Sequence, residues 1–490
     1  MAPNMFFVSL LLLLIPASVS FQLNGEEGFI SGAISEKGLD YAKDLLIHEA
    51  MSTILSLQLP QIEKTARVRL VGKCKIVLSN ITFVGVNINS SYVKTGEKGI
   101  VLIASGGTAY LSMNWSYSCS TWLLPVSISD QGDAFVKVKG TQVGLTLNFE
   151  NQEGSLKLIL LDYGFYVGNL FIKLNGGASW LYQRVVDLFE GRIASAVEDT
   201  VSGKIREGIS KLSSLLQSLP KEISLGKTAV LNVSFVNNPV LTNSSIEFEI
   251  NGLVTGKNET LVPQGYHREP EASFSCGGLS NMIKISLHED VLNSASLVYF
   301  NAGSMQWIVD KLPDQALLNT AAWRFIVPQL YRRFPNKDME LNISVSSPPI
   351  VQVTNQNIDA TIHIDIIVDV EDAGEVACIS MEISASCSAE ILQNNVAGNL
   401  RLNDFSTYLK WTKIGPLHMH LIQLTISAIL RTTVLPFVNF LLRQGIPLPY
   451  FYGFAVQNAH TMYNAPWITV CSDISFSRNY YLSQLPIFVL

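Results

Sequence analysis

His48-Glu49 and His288-Glu289 each begin like the His-Glu pair of a zinc hydrolase, in which two histidines one helical turn apart hold the metal. Neither pair is followed by the second histidine. His418 and His420 are close, but residues two apart on a helix do not face the same way. The chain contains no G-x-S-x-G turn, no G-x-G-x-x-G, no phosphate-binding loop and no C-x-x-C. The expectation is therefore no catalysis, no resident metal and no cofactor.

What remains is the chemistry of binding. Arg67, Arg69, Lys73 and Lys75 alternate with Val68, Leu70, Cys74 and Ile76, which is a strand from Thr65 onward with one wet, basic face. Lys94 and Lys98 sit in the turn TGEKG, and Lys137 and Lys139 add two more cations. Such groups could meet the phosphates of a lipid head group through charge-assisted hydrogen bonds. Acyl chains require a dry, concave, apolar site.

The elements that must position these groups start with Ser35 to Leu59. Leu39, Ala42, Leu46, Ala50, Ile54 and Leu57 recur every three or four residues, with Lys43 and Glu49 off the stripe, and Pro60 ends the run. A second helical region covers about Ala178 to Leu219, closed by Pro220; Gly191, Gly203 and Gly208 are candidate bends. Between them lie strands. In Ala109 to Cys119 the odd positions are apolar and the even ones polar, which puts Cys74 and Cys119 on apolar faces and favours a bridge between neighbouring strands. Phe135 to Lys139, Val143 to Phe149, Leu156 to Leu161 and Tyr166 to Leu174 follow, punctuated by glycines, as a curved meander. Laying both helices along that sheet predicts an apolar tunnel along Leu46, Ala50, Ile54, Ile205 and Ile209.

Residues 221 to 273 lose this periodicity and read as a connection. Beyond them, Leu312 to Phe334 has a helical part broken near Pro328, Ile358 to Val370 alternates along its whole length, and Leu417 to Leu442 is a long apolar helix. Cys378 and Cys387 flank eight residues without Gly or Pro. On one extended strand they lie roughly 30 Å apart, too far to bridge. Cys276 and Cys471 are then their expected partners, although one pair could stay free.

Met5 to Ile15 is an apolar run followed by small residues, the pattern of a signal peptide over residues 1 to 20. Asn80, Asn89, Asn114, Asn232, Asn243, Asn258 and Asn342 each open an N-x-S/T triplet, which agrees with secretion and glycosylation. Residues 21 to 230 carry 20 basic and 19 acidic side chains and the remainder 14 and 21, so charge excludes a nucleic-acid binder.

At Ile34 to Ala42, ISEKGLDYA, the sequence resembles the family of bactericidal/permeability-increasing protein, lipopolysaccharide-binding protein and the plasma lipid-transfer proteins. The resemblance continues in order through NSASLVYFNAG (Asn293 to Gly303), RRFPN (Arg332 to Asn336), SVSSPP (Ser344 to Pro349), IGP (Ile414 to Pro416) and GIPLP (Gly445 to Pro449), most like a plant member. It implies an α+β boomerang of two similar domains, each a twisted antiparallel sheet wrapped on long helices, joined by a central sheet. Residues 21–225 would be the amino-terminal domain, 226–274 the connection with central-sheet strands, and 275–490 the carboxy-terminal domain.

The resemblance also implies a secreted protein of innate, antimicrobial defence that recognises lipopolysaccharide through its lipid A on a bacterial membrane surface. Lys94 and Lys98, helped by Arg67, Arg69, Lys73 and Lys75, would face the phosphates. A general phospholipid carrier is the alternative, and a ligand-free structural glycoprotein the second. Two features depart from the family. Asn114 to Asp130, where bactericidal members carry a cationic loop, has no Lys or Arg, and the regions of Gly168 and Val201, joined by the family's bridge, lack cysteine.

Overall fold

A computed structural model describes residues 27–476 apart from 69–71, 121–126, 176–181, 258–275, 277–280, 312–314, 393–394 and 448–453. The expected signal peptide, Arg69 and Asn258 lie outside the described residues. The chain divides into two compact units. One gathers Ile34–Leu219 with Asn238–Glu247; the other gathers the described residues up to Ala33, Pro220–Asn237 and those from Phe248 onward. Both are α+β, with antiparallel sheet and long helices, as the resemblance implied.

In the amino-terminal unit the sheet is built from Gly72–Asn87 (β1), Ser90–Gly96 (β2), Gly99–Ser120 (β3), Ser127–Gln152 (β4), Ser155–Tyr166 (β5) and Asn169–Asn175 (β6), with the short strands Gln58–Leu59 and Ile62–Val68 on β1. The strand expected from Thr65 onward is two strands of a hairpin, with Val68 opposite Gly72 and Arg67 opposite Lys73. The two strands expected at Phe135 and Val143 are halves of β4. Gly140, at φ 75°, lets the chain bend there without ending the strand.

The helix Glu36–Leu55 (α1) is capped by Ser35, whose hydroxyl accepts from the Gly38 N–H at 3.3 Å. Its inward face differs from the expected stripe. Lys43 is buried, while Ala42, Leu46 and Ala50 are exposed. Leu45, Leu46 and Ile47 are consecutive and span more than half the helix circumference, so apolar spacing alone could not choose a face. Lys43 tolerates burial because its ammonium reaches Asp40 at 2.6 Å and Asp44 at 3.1 Å. Burial pushes its pKa down, but the hydrogen bonds it donates to the two carboxylates, with their charge, outweigh that and hold it above the ordinary lysine value.

The second helix, Tyr182–Gln217 (α2), is continuous; its glycines have open space around them and do not interrupt it. Phe189, Ile193, Val197 and Val201 follow at four-residue intervals and are almost fully buried against Ile76, Leu111, Met113 and Val136.

The carboxy-terminal unit repeats the plan. Met339–Val345 (β7), Ile358–Val370 (β8), Gly374–Leu392 (β9) and Asn395–Thr412 (β10) form the centre of a seven-stranded sheet. Glu289–Asn301 (α3) is capped by His288, whose Nδ1 accepts from the Asp290 N–H at 3.2 Å. The Glu289 carboxylate accepts from the Val353 N–H at 2.7 Å. His288-Glu289 is thus a helix start. Met419–Ile429 (α4) and Leu435–Gln444 (α5) are joined by a π-helical turn, Leu430–Val434.

Two further sheets use the segment expected as a connection. Glu222–Leu225, Ala229–Asn232 and Val254–Gly256 make a three-stranded sheet. Val240–Leu241 and Ser245–Ile250 enter a six-stranded sheet with Ile30–Ser35, Ile283–His288, Trp467–Phe476 and Phe454–Asn464.

Cys74 and Cys119 are direct partners across β1 and β3 and are bridged. Cys276 is bridged to Cys471, and Cys378 and Cys387 are free and buried. The expected pairing of the last two with Cys276 and Cys471 is therefore corrected. Nine positions apart on β9, Cys378 and Cys387 point to opposite faces.

Candidate functional site

The alternation along β8 builds the wall of a cavity. Ile362, Ile364, Ile366 and Val368 lie directly opposite Ile383, Met381, Ile379 and Ala377 of β9, and all eight side chains face the same space. Trp323, Val327 and Leu330 close it on one side, and Ile422, Ile426, Val438 and Leu442 of α4 and α5 lie over it. The cavity has a volume of about 470 Å³. Among the described residues its lining has no hydroxyl, amide, carboxylate or ammonium side chain; the one titratable group among them is the Cys387 thiol, which burial pushes above its ordinary pKa. Walls of this kind solvate an acyl chain and nothing polar.

Two amides hold the helices on the rim. Asn439 donates through Nδ2 to the Leu400 carbonyl at 2.8 Å and accepts from the Leu400 N–H at 2.7 Å. Gln423 donates to the Phe405 carbonyl at 3.2 Å. Both acceptors lie on β10, so each half of the helix pair is tied to the same strand.

The outer face of this sheet is polar. Lys410 reaches Asp365 at 2.7 Å, and Ser380 donates to the other oxygen at 2.5 Å. Burial raises the Asp365 pKa, but Lys410 and Ser380 outweigh it and leave the carboxyl below the usual aspartate value.

The tunnel residues expected from sequence are placed otherwise. Leu46 is 46% exposed and Ala50 is exposed. Ile54 and Ile205 pack against the amino-terminal core, and Ile209 is half-buried. None of the five lines the carboxy-terminal cavity. The signal that could have found that cavity was the strand Ile358 to Val370 itself. Its long apolar face calls for a wide cover, and in the structure most of those side chains are half-buried and border the cavity.

The basic residues do not form one surface. Lys94 and Lys98 flank the β2–β3 turn, where Lys94 lies opposite Val101. Lys73 and Lys75 lie opposite Ser120 and Ser118 at the far end of β3. Seventeen residues of strand separate Val101 from Ser118, on the order of 50 Å. Lys75 is also paired with Glu63 at 2.6 Å. Arg67 is exposed beside Lys73. Lys137 and Lys139 lie mid-sheet over the rings of Tyr110 and Phe171, at 5.0 and 5.4 Å. The sequons at Asn80, Asn89, Asn114, Asn243 and Asn342 are exposed, and Asn232 is half-buried with its Oδ1 accepting from Ser234. Among the described residues no group of three or more His, Cys, Asp or Glu is placed to hold a metal.

Two α+β units, one of them enclosing a wholly apolar cavity under a helix pair, describe a carrier of apolar ligands. Models of the LBP / BPI / CETP family match both halves, the N-terminal domain over residues 38–218 and the C-terminal domain over residues 223–476. The chain belongs to that family, and as such is a secreted, extracellular, non-catalytic lipid-binding protein. It is 46% identical over 471 residues to a protein assigned to the BPI/LBP family in Arabidopsis thaliana, covering 95% of this chain and 96% of that one. It is 24% identical to the lipopolysaccharide-binding protein of Homo sapiens, covering 90% and 92%. A crystal structure of lipopolysaccharide binding protein superposes with a TM-score of 0.62 at 19% identity, covering 92% of this chain and 100% of that one.

Proposed function

We propose that the chain carries phospholipid outside the cell, with acyl chain held in the carboxy-terminal cavity and the phosphate head group left at its mouth. The observation that supports this is the cavity lining, which offers an acyl chain contact on every side and a head group no partner. Organic extraction of the purified, secreted protein followed by mass spectrometry should recover phospholipid, and the emptied protein should take up a fluorescent phospholipid. Recovering no lipid and seeing no uptake would leave the structural-glycoprotein reading.

Recognition of lipopolysaccharide on a bacterial surface is the second reading. It draws on relatives such as the human and bovine proteins named for that ligand, at 24% and 23% identity. The distribution of cations narrows it, because one head group cannot touch both ends of β3. If the chain binds lipopolysaccharide by these cations, either Lys94→Glu/Lys98→Glu or Lys73→Glu/Lys75→Glu should weaken binding at low salt, not both equally. Wild-type protein that loads phospholipid but ignores lipopolysaccharide would remove this reading and its antimicrobial role.

A further inference from the structure

The helix pair over the cavity has a second apolar face. Leu421 is 43% exposed, Leu424 56%, Phe437 57% and Phe440 59%. At 100° per residue, sixteen residues of uninterrupted α-helix would turn Phe437 about 160° away from Leu421, onto the opposite side. The π-helical turn Leu430–Val434 takes up one residue and cuts that offset to about 60°. The same correction applies from Leu424 to Phe440. It also keeps Ile422 and Val438 together on the cavity side, where both are buried. The turn thus aligns two faces at once, one toward the cavity and one toward solvent.

Charge along this stretch is one-sided. Met419 to Gln444 contains Arg431 and Arg443 and no Asp or Glu. Both arginines are exposed. The stretch is long and apolar enough to cross a membrane. However, Ile422, Val438 and Leu442 are in the protein interior, and Gln423 and Asn439 are tied to β10. A helix fixed along one side, with a protruding apolar ridge and cations beside it, matches an interface-lying amphipathic helix and not a spanning one.

We propose that the outward face of α4 and α5 docks the protein on an anionic phospholipid bilayer, with Leu424, Phe437 and Phe440 entering the head-group boundary and Arg431 and Arg443 meeting lipid phosphates and carboxylates. This deepens the reading of the cavity as a lipid site, since the docked helix pair is also part of the cavity wall, and a lipid leaving the bilayer would pass at its edge. A second copy of the chain is the competing occupant of such a face.

Full-length protein is floated with vesicles of about three parts phosphatidylcholine to one part phosphatidylserine. Leu424→Asp/Phe437→Asp/Phe440→Asp should bind these vesicles about tenfold more weakly or worse, with unchanged circular dichroism, because the three side chains are mostly outside the fold. Arg431→Glu/Arg443→Glu should lose binding to the anionic vesicles and keep whatever weak binding pure phosphatidylcholine supports. Undiminished flotation of the triple variant overturns the proposal. So does wild-type protein that ignores the vesicles, and a wild-type dimer dispersed by the triple variant would then assign the face to a second copy. Uptake of a monomeric, short-chain phospholipid is read in parallel. If no protein takes it up while the triple variant still loses flotation, docking stands and the cargo reading fails.

Discussion

In the amino-terminal unit, α2 lays Phe189, Ile193, Val197 and Val201 on its sheet, each at most 4% exposed. In the carboxy-terminal unit, α4 and α5 face an equally apolar sheet and leave about 470 Å³ between them. The elements are alike, and among the described residues they meet differently: one helix packs directly on its sheet, the other pair lies over a cavity. One difference is helix continuity. An unbroken helix keeps a single row of side chains aimed at the sheet over nine turns or so. The carboxy-terminal helix is interrupted by its π turn and held at its edge by Asn439 and Gln423, so it covers the sheet without filling the space beneath. The amino-terminal unit also carries the Cys74–Cys119 clip, while Cys378 and Cys387 in the sheet beside the cavity are free.

The strongest way to break this comparison is to fill the cavity. Ile364→Trp with Met381→Trp should abolish phospholipid uptake while the protein stays folded, because both changes enter existing space; uptake near the wild-type level would move the lipid site elsewhere. The matching change in the amino-terminal core, Leu111→Trp at a fully buried position, should leave uptake intact and cost about 1–3 kcal/mol from overpacking, read by chemical denaturation.

Truncation should give the reverse asymmetry. Phe189→Ala removes a ring that is 1% exposed and should destabilise the amino-terminal unit by about 3–5 kcal/mol. Ile366→Ala, on the cavity wall, should cost about 2 kcal/mol or less, since its neighbours on one side are already missing. Equal losses in the two would mean that the cavity is closed in solution. Replacing Cys74 and Cys119 by Ser opens a loop of 45 residues and should lower the stability of the amino-terminal unit by about 4 kcal/mol, without changing lipid uptake.

The smallest effect concerns the outer face of the hollow unit. Asp365 titrates below its ordinary value when folded, so its contribution is present above the unfolded aspartate range and is lost as the pH falls through the depressed folded value. Lys410 is about half exposed, which screens the pair, so Asp365→Asn should cost less than about 1 kcal/mol near neutral pH. The gap between variant and wild type should shrink on acidification below the ordinary aspartate pKa; a gap independent of pH would assign the loss to the Ser380 hydrogen bond instead.

Period-two patterning carried much of this architecture. It located β8 to the residue and placed Cys74 and Cys119 on the same face, because a strand in which every second residue is apolar has one choice of orientation. It could not place α1, where apolar residues at 45, 46 and 47 make several rotations look equivalent. Nor could it choose partners for Cys276 and Cys471, whose approach depends on segments 195 residues apart meeting in space. The candidate site was the least legible. A cavity is space that side chains fail to fill, and no residue type marks it. The basic set misled for a related reason: cations counted together along the sequence are separated by the length of β3. Gly140 shows the opposite error, in which a residue that usually ends a strand only bends one.

The absence of hydroxyl, amide and charged side chains among the described residues of the cavity wall has a consequence for selectivity. Such a wall measures length and bulk, and a chain of different saturation or one methylene shorter loses little. A hydroxyl midway along the chain is another matter. It would leave water for a place whose described side chains offer no hydroxyl, amide or carboxylate partner, at about 1–3 kcal/mol, enough to lower occupancy by roughly tenfold or more. The cavity would thus discriminate by hydration, sorting plain hydrocarbon from oxygenated hydrocarbon while remaining indifferent to the head group. Competition between a saturated phospholipid and its mid-chain hydroxylated counterpart would reveal that preference, and equal uptake of the two would show that water accompanies the chain inside.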